Sequence, residues 1–201
     1  MFCASCFLFV LVLLYASFDV HYFLRVAFTI AFGRLFQKKV KVHDTTSIYG
    51  LCTTQDIDVF LDHMNDARFC REMDFARFSF YDRNGLYAEI RRRKGGVMLG
   101  ASTIRFRRSI PIFSLYRVDT KMIYWDDKNV YLEQQFVTPR DGFVRAVALI
   151  KQAVVGPDVN ELMEEVLKKT GGGSKPDMPP ELQQWLDCLE TTSARLRAKK
   201  D

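Results

Sequence analysis

Between Asn65 and Asn84 the chain carries neither Gly nor Pro, and this uninterrupted stretch does most to limit the folds open to it. Phe69, Met73, Ala76 and Phe80 recur at helical spacing, so the stretch reads as a helix with an apolar stripe. Phe75 and Phe78 add apolar surface on its other sides, the pattern of a helix largely enclosed by a sheet. Asn84-Gly85 supplies a C-terminal stop.

Strands surround that helix in sequence. A short β-prone run, Ser47 to Thr53, precedes it, and four candidates follow: Val97 to Arg107, Phe113 to Trp125, Val130 to Thr138 and Phe143 to Val155. The turns Asp126-Asp127-Lys128-Asn129 and Pro139-Arg140-Asp141-Gly142 are short and polar, so successive strands are expected to pair antiparallel. The economical architecture is α+β, one long helix embedded in a curled antiparallel sheet. Val159 to Lys169 then reads as an amphipathic helix, and Gly171 to Pro176 as a flexible linker. Pro179-Pro180 opens a last helix reaching about Lys199, whose Leu182, Trp185 and Leu189 face docks on the domain or on a partner. At 201 residues one core is expected, with no second full domain.

The N-terminus is a different material. No charged side chain occurs from Met1 to Phe18, and residues 2–18 as a helix rise about 26 Å against a hydrocarbon layer of roughly 30 Å. Extension to Leu24 would cover the layer. A second apolar stretch, Tyr22 to Phe36, carries Arg25 and Arg34 and reads as an interfacial helix. The alternative is a cleaved signal peptide, but no Lys or Arg precedes the run and Tyr15-Ala16-Ser17 puts a bulky residue at the cleavage pattern. Positive charges follow the run instead, which keeps that flank cytosolic. The expected division is therefore 1–36 membrane anchor, 37–46 basic linker, 47–156 folded domain and 157–201 helical tail.

Charge and cysteines exclude some functions. Arg91-Arg92-Arg93-Lys94 reads as a solvated loop, and no aromatic-interleaved motif accompanies it, so no nucleic-acid partner is expected. Cys3, Cys6, Cys52, Cys70 and Cys188 form no disulfide framework. His21, His43 and His63 form no ligand cluster, so no metal is expected, and no cofactor is implied.

Chemistry concentrates in Asp56-Ile57-Asp58-Val59-Phe60-Leu61-Asp62-His63-Met64-Asn65. Carboxylates and an imidazole here precede a helix N-terminus, which stabilises an anion or a polarised carbonyl. Thioester hydrolysis uses that pairing: a carboxylate acts on water or as nucleophile, and N–H donors hold the oxyanion. The plainer alternatives are that Asp62 or Asn65 caps the helix and that His63 bonds nearby backbone.

Asp56-Ile57-Asp58 followed by His63-Met64-Asn65-Asp66-Ala67-Arg68-Phe69, then Asp74-Phe75-Ala76-Arg77, resembles the hotdog-fold thioesterases of the 4-hydroxybenzoyl-CoA thioesterase type. Those enzymes show D-x-D and then H-[VM]-N-N-x-x-Y. Through Asp19-Val20-His21-Tyr22, Tyr131-Leu132-Glu133, Asp141-Gly142-Phe143-Val144 and Leu182-Gln183-Gln184-Trp185 the chain is similar to the thioesterase superfamily member six family, a membrane-anchored branch. The resemblance implies a hotdog fold, a homodimer joined sheet edge to sheet edge, and acyl-CoA at the subunit interface. It makes Asp58 the base or nucleophile, with Asp56 its pair, and the backbone around His63 to Asn65 the carbonyl-polarising group.

Two departures accompany it. Four residues separate Asp58 from His63 where the pattern has three, which either displaces Asp58 or puts Val59 in its place; the second Asn of the pattern is Asp66. The function expected is acyl-CoA thioester hydrolysis in lipid metabolism on the cytosolic face of an internal membrane such as the endoplasmic reticulum. Arg107 or Arg108 would meet CoA phosphates, a role read from charge alone. The alternative is an inactive scaffold binding lipid or protein, and secretion follows if the N-terminus is a signal peptide.

Overall fold

The computed structural model of the protein describes residues 2–198, and the side chains of 6–15 and 17–198. Lys199, the expected end of the last helix, and the side chain of Cys3 lie outside the described residues. The elements run α1 (Phe2–Ser17), α2 (Val20–Phe36), β1 (Thr46–Leu51), α3 (Asp66–Arg83), α4 (Leu86–Arg92), β2 (Gly96–Phe106), β3 (Leu115–Trp125), β4 (Asn129–Thr138), β5 (Phe143–Val155), α5 (Val159–Thr170) and α6 (Pro180–Arg197).

The alternation read in the strands builds one antiparallel sheet, in the order β1-β3-β4-β5-β2. β3, β4 and β5 follow one another as hairpins. β2 does not join β3; it pairs with β5 at the far edge, so residues 107–114 travel back across the end of the sheet. α3 is the Gly- and Pro-free stretch, and its stripe Phe69, Met73, Ala76 and Phe80 is buried in one core with Val118, Leu132, Phe136 and Ile150. The Phe69 and Phe136 rings lie 4.7 Å apart, and burying each such side chain is worth roughly 1.5–3 kcal/mol. This is the hotdog architecture.

The second half of the α3 enclosure is helical. α2 lies along α3 and runs in the same direction, fastened by Asp19–Arg71, Arg25–Glu72 and Arg34–Asp82, each at 2.5 Å. Arg25 also covers the Phe75 ring, 4.6 Å from its centroid. The arginines that read as flank charges of an interfacial helix thus hold α2 to the domain, and residues 1–36 are not one separate body. α2 keeps an apolar outer face, where Phe28, Phe32 and Phe36 stack at 5.9 and 5.1 Å.

α1 does not continue to Leu24. The Asp19 carboxylate accepts the Tyr22 N–H at 3.3 Å and starts a new helix, so the chain bends 71° between Cys6–Tyr15 and Val20–Phe36. Among the described residues no single helix is long and apolar enough to cross a membrane, although the bent pair passes that test together. The apolar side chains of α1, from Phe7 to Tyr15, are exposed.

Two further expectations change. Arg91 to Arg93 belong to the end of α4 rather than to a solvated loop, and Arg92 and Arg93 bond Glu89 and Glu165. Gly85 at φ +76° allows the chain to leave α3 and start α4 within two residues. α5 is part of the core rather than a tail, since Val159, Leu162, Met163 and Val166 are buried with the sheet residues. α6 seats Leu182 fully buried, while Trp185 and Leu189 farther along the same face are half-buried.

Candidate active site

Residues 56–65 fold back on themselves just before α3. Asp58 N–H donates to His63 O at 3.1 Å and Asn65 N–H to Asp56 O at 2.8 Å, with Ile57 opposite Met64 between them. The reversal is a turn in which Leu61 N–H meets Asp58 O and Leu61 takes φ +61°. Val59, Phe60 and Leu61 project at 84, 77 and 68% exposure, while Asp58 lies opposite His63.

The crossing segment 107–114 closes the site from the other side. Met64 N–H donates to Ile110 O, Ile112 N–H to Asp62 O and Phe113 N–H to Cys52 O, all at 2.8 Å. Nothing in the residue pattern of 107–114 announces this partnership, because it is made through backbone groups that every sequence possesses.

The side chains then divide by role. The Asp56 carboxylate accepts the Thr53 N–H and hydroxyl, both at 2.9 Å, and holds the turn behind the site. Asp58 accepts the Phe60 N–H at 3.0 Å on Oδ1 and presents Oδ2 to His63 Nε2 at 3.3 Å. His63 Nδ1 is in hydrogen-bond contact with Asp62 Oδ1. The imidazole therefore bridges two carboxylates, one side chain 14% exposed (Asp58) and the other 71% (Asp62). The Asp62 hydrogen bond, and after it the charges of Asp58 and Asp66, raise the His63 pKa above its ordinary value. In the sequence Asp62 stands among the carboxylates before the helix or as its cap, with nothing to pair it with His63.

Asn65 is the N-cap of α3, and its Oδ1 accepts the Ala67 N–H at 2.9 Å. Arg68 N–H turns back to Asn65 O at 2.9 Å. That leaves the Asp66 N–H at the positive end of the helix without a hydrogen-bond acceptor among the described residues. Of the candidate residues, Asp56, Asp58, His63 and Asn65 are thus gathered on one folded-back segment.

Arg107 and Arg108 are not gathered with them. Their guanidinium groups cover the Phe143 ring, at 4.7 and 4.5 Å from its centroid, and Arg107 donates to Val144 O. They stand at the start of the crossing segment, exposed.

Asp58, Asp62 and His63 also offer three ligand atoms within 4.8 Å of one another. Two of those contacts are the imidazole's own bonds to its neighbours, so the trio reads as a carboxylate–imidazole–carboxylate chain. Chemically, the site offers a shielded carboxylate, a neighbouring imidazole whose pKa is raised, and an open helix N–H.

Comparison with known proteins agrees with the fold. The thioesterase-like superfamily matches residues 52–186. Protein THEM6 of Drosophila melanogaster is 54% identical over 191 residues, 95% of this chain and 97% of the relative. Protein THEM6 of Danio rerio is 38% identical over 188 residues, 93% of this chain and 91% of the relative. Among solved structures, YbaW of Escherichia coli, described as a probable thioesterase, superposes with a TM-score of 0.56 at 19% identity, covering 64% of this chain and 98% of its own. A gentisyl-coenzyme A thioesterase superposes at 0.51 with 20% identity, over 59% of this chain and 99% of that one.

Proposed function

Because this chain belongs to the thioesterase-like superfamily, we propose that it hydrolyses acyl-CoA thioesters at a membrane surface, in lipid metabolism. The observation that carries the reading is the pairing of Asp58 with His63 beside the open N-terminus of α3. Asp58 takes a proton from water as the oxygen attacks the thioester carbonyl. The Asp66 N–H stabilises the oxyanion, aided by the helix dipole. Collapse breaks the C–S bond, and the proton held by Asp58 returns to the departing thiolate, leaving a carboxylic acid and CoA thiol. His63, held between Asp58 and Asp62, is a positioning residue that orients the Asp58 carboxylate, and Arg107 and Arg108 receive the CoA phosphates.

The membrane part of the reading rests on exposed apolar surface. α1 lacks any charge, and Phe23, Phe28, Leu35 and Phe36 on the outer face of α2 are between 67 and 75% exposed. Contiguous apolar surface of this kind marks an interaction site. α2 lies in the interface of an internal membrane such as the endoplasmic reticulum, α1 enters the bilayer, and the domain faces the cytosol. Two copies join through the free edge of β2 and complete the acyl-CoA site.

The test is an acyl-CoA chain-length panel on the full-length chain in nanodiscs, read by released thiol, with Asp58→Asn alongside. Absence of hydrolysis at every chain length rejects the enzyme. Activity that survives Asp58→Asn rejects the assigned base. One observation favours a second reading, a scaffold that binds without turnover: Asp62 and Asp66 add negative charge where an anionic substrate would sit. Binding of acyl-CoA with no thiol release would support it.

A further inference from the structure

α2 forms a cavity of about 420 Å³ with α3, α4 and the β2–β5 edge of the sheet, within the roughly 300–1,000 Å³ range of small-molecule sites. Asp74, on its wall, lies eight residues along α3 from Asp66, about 12 Å by helical rise, so the cavity is separate from Asp58 and His63. Its α2 wall precedes residue 52, where the match to the superfamily begins. The cavity is an addition to the hotdog core.

One buried polar group there lacks a partner: Tyr81 is 5% exposed, and its buried hydroxyl makes no hydrogen bond. Gln152 lines the same cavity, 5% exposed as a residue, and its side-chain amide makes no hydrogen bond among the described residues. A buried group left unpaired costs about 1–3 kcal/mol, and native proteins rarely leave one without a purpose. The charges, in contrast, are already matched: Arg77 bonds Asp74 and Arg34 bonds Asp82. The remaining wall is apolar, with Val26 and Ile30 from α2 and Leu99 from β2.

We propose that this cavity binds a neutral single-chain lipid whose hydroxyl- or carbonyl-bearing head pairs with Tyr81 and Gln152. A carboxylate or a phosphate would bring a charge that no unpaired cation lining the cavity, among the described residues, compensates. A neutral head leaves both ion pairs intact, and the chain lies along Val26, Ile30 and Leu99. The route of entry rests on the proposed placement of α2 in the membrane interface, since a bilayer-borne lipid reaches the cavity along the flank of that helix.

The experiment uses the full chain in phosphatidylcholine nanodiscs with a diazirine-bearing monoacylglycerol, mapping labelled peptides by mass spectrometry. Labelling is expected on peptides spanning 22–34 and 97–99, displaced by monoolein and not by oleate. Ile30→Trp, which fills the cavity, abolishes it. Tyr81→Phe, which keeps the shape, weakens it about three- to tenfold, the size of one net hydrogen bond. Equal displacement by oleate, or cavity labelling indifferent to both substitutions, overturns the proposal. A diazirine phosphatidylcholine in the same discs reports whether the outer face of α2 contacts lipid, and thiol release from acyl-CoA is read in parallel. Failure of the membrane placement or of the enzyme is therefore seen separately from failure of this site.

Discussion

Arg25 on α2 meets Glu72 on α3 through two parallel hydrogen bonds of 2.5 Å, and Glu72 is 1% exposed. Tyr116 Oη lies 3.4 Å from the same guanidinium. Burial raises the Glu72 pKa despite the arginine beside it. Breaking such a pair from one side strands the other charge, which typically costs about 3–5 kcal/mol. Arg25→Ala should therefore lower the unfolding free energy by about that amount, and removal of residues 1–36 should do no less. The double replacement Arg25→Met with Glu72→Leu should regain most of the loss. Urea unfolding of the full chain in detergent checks this, and an unchanged midpoint for Arg25→Ala would show that α2 is not part of the folded unit.

That pair also marks where the sequence stopped being legible. The α3 stripe and the hairpins β3–β4–β5 follow from local periodicity and turn chemistry, which act within a few residues. Arg25 and Glu72 are 47 residues apart, and an arginine in an apolar helix looks the same whether it faces headgroups or a buried carboxylate. The site divides in the same way. Asp58, His63 and Asn65 could be read from their spacing before a helix. The Asp62–His63 contact and the seat of Ile110 to Phe113 could not, because the Asp58–Leu61 turn and backbone pairing decide them.

The two carboxylates of Asp56-Ile57-Asp58 should separate by assay. Asp56 anchors the Thr53 turn through two hydrogen bonds, so Asp56→Ala should cost about 1–3 kcal/mol of stability. Asp58→Asn keeps the size and the Phe60 contact, so its stability should change by less than about 1 kcal/mol while thiol release falls at least about a hundredfold. Paired unfolding and kinetic measurements decide. Equal effects of the two substitutions on both readouts would contradict the division of roles.

His63 should titrate above its unfolded value, held up first by Asp62 and then by Asp58. A raised histidine pKa contributes stability that is fully present below the unfolded value and is lost as pH rises through the folded one. Asp62→Asn should therefore lower the melting temperature near pH 5.5 and have little effect above pH 8, and it should move the His63 resonance to a lower pKa more than Asp58→Asn does. NMR titration of the imidazole checks the order, and a larger shift from Asp58→Asn would invert the assignment.

The last relationship ties α4 to α5. Glu89 is buried at 5% exposure and bonds Arg92, Arg93 and Lys169, with Glu165 joining the same cations. The Arg92 guanidinium first, then Lys169 and Arg93, pull the Glu89 pKa down to about 2 from 4.5. A depressed carboxylate contributes stability that is complete above the unfolded pKa and is lost as pH falls through the folded one. Glu89→Gln should thus lower the melting temperature at pH 7 by roughly 3–6 °C, from charge-assisted bonds of about 1.5 kcal/mol at ~2–4 °C per kcal/mol. The gap between variant and parent should hold constant down to pH 5 and then close as pH approaches 2, because the parent loses what the variant already lacks. Calorimetry across that range tests it, and a gap that stays open at pH 2.5 would mean that Glu89 acts by packing rather than by charge.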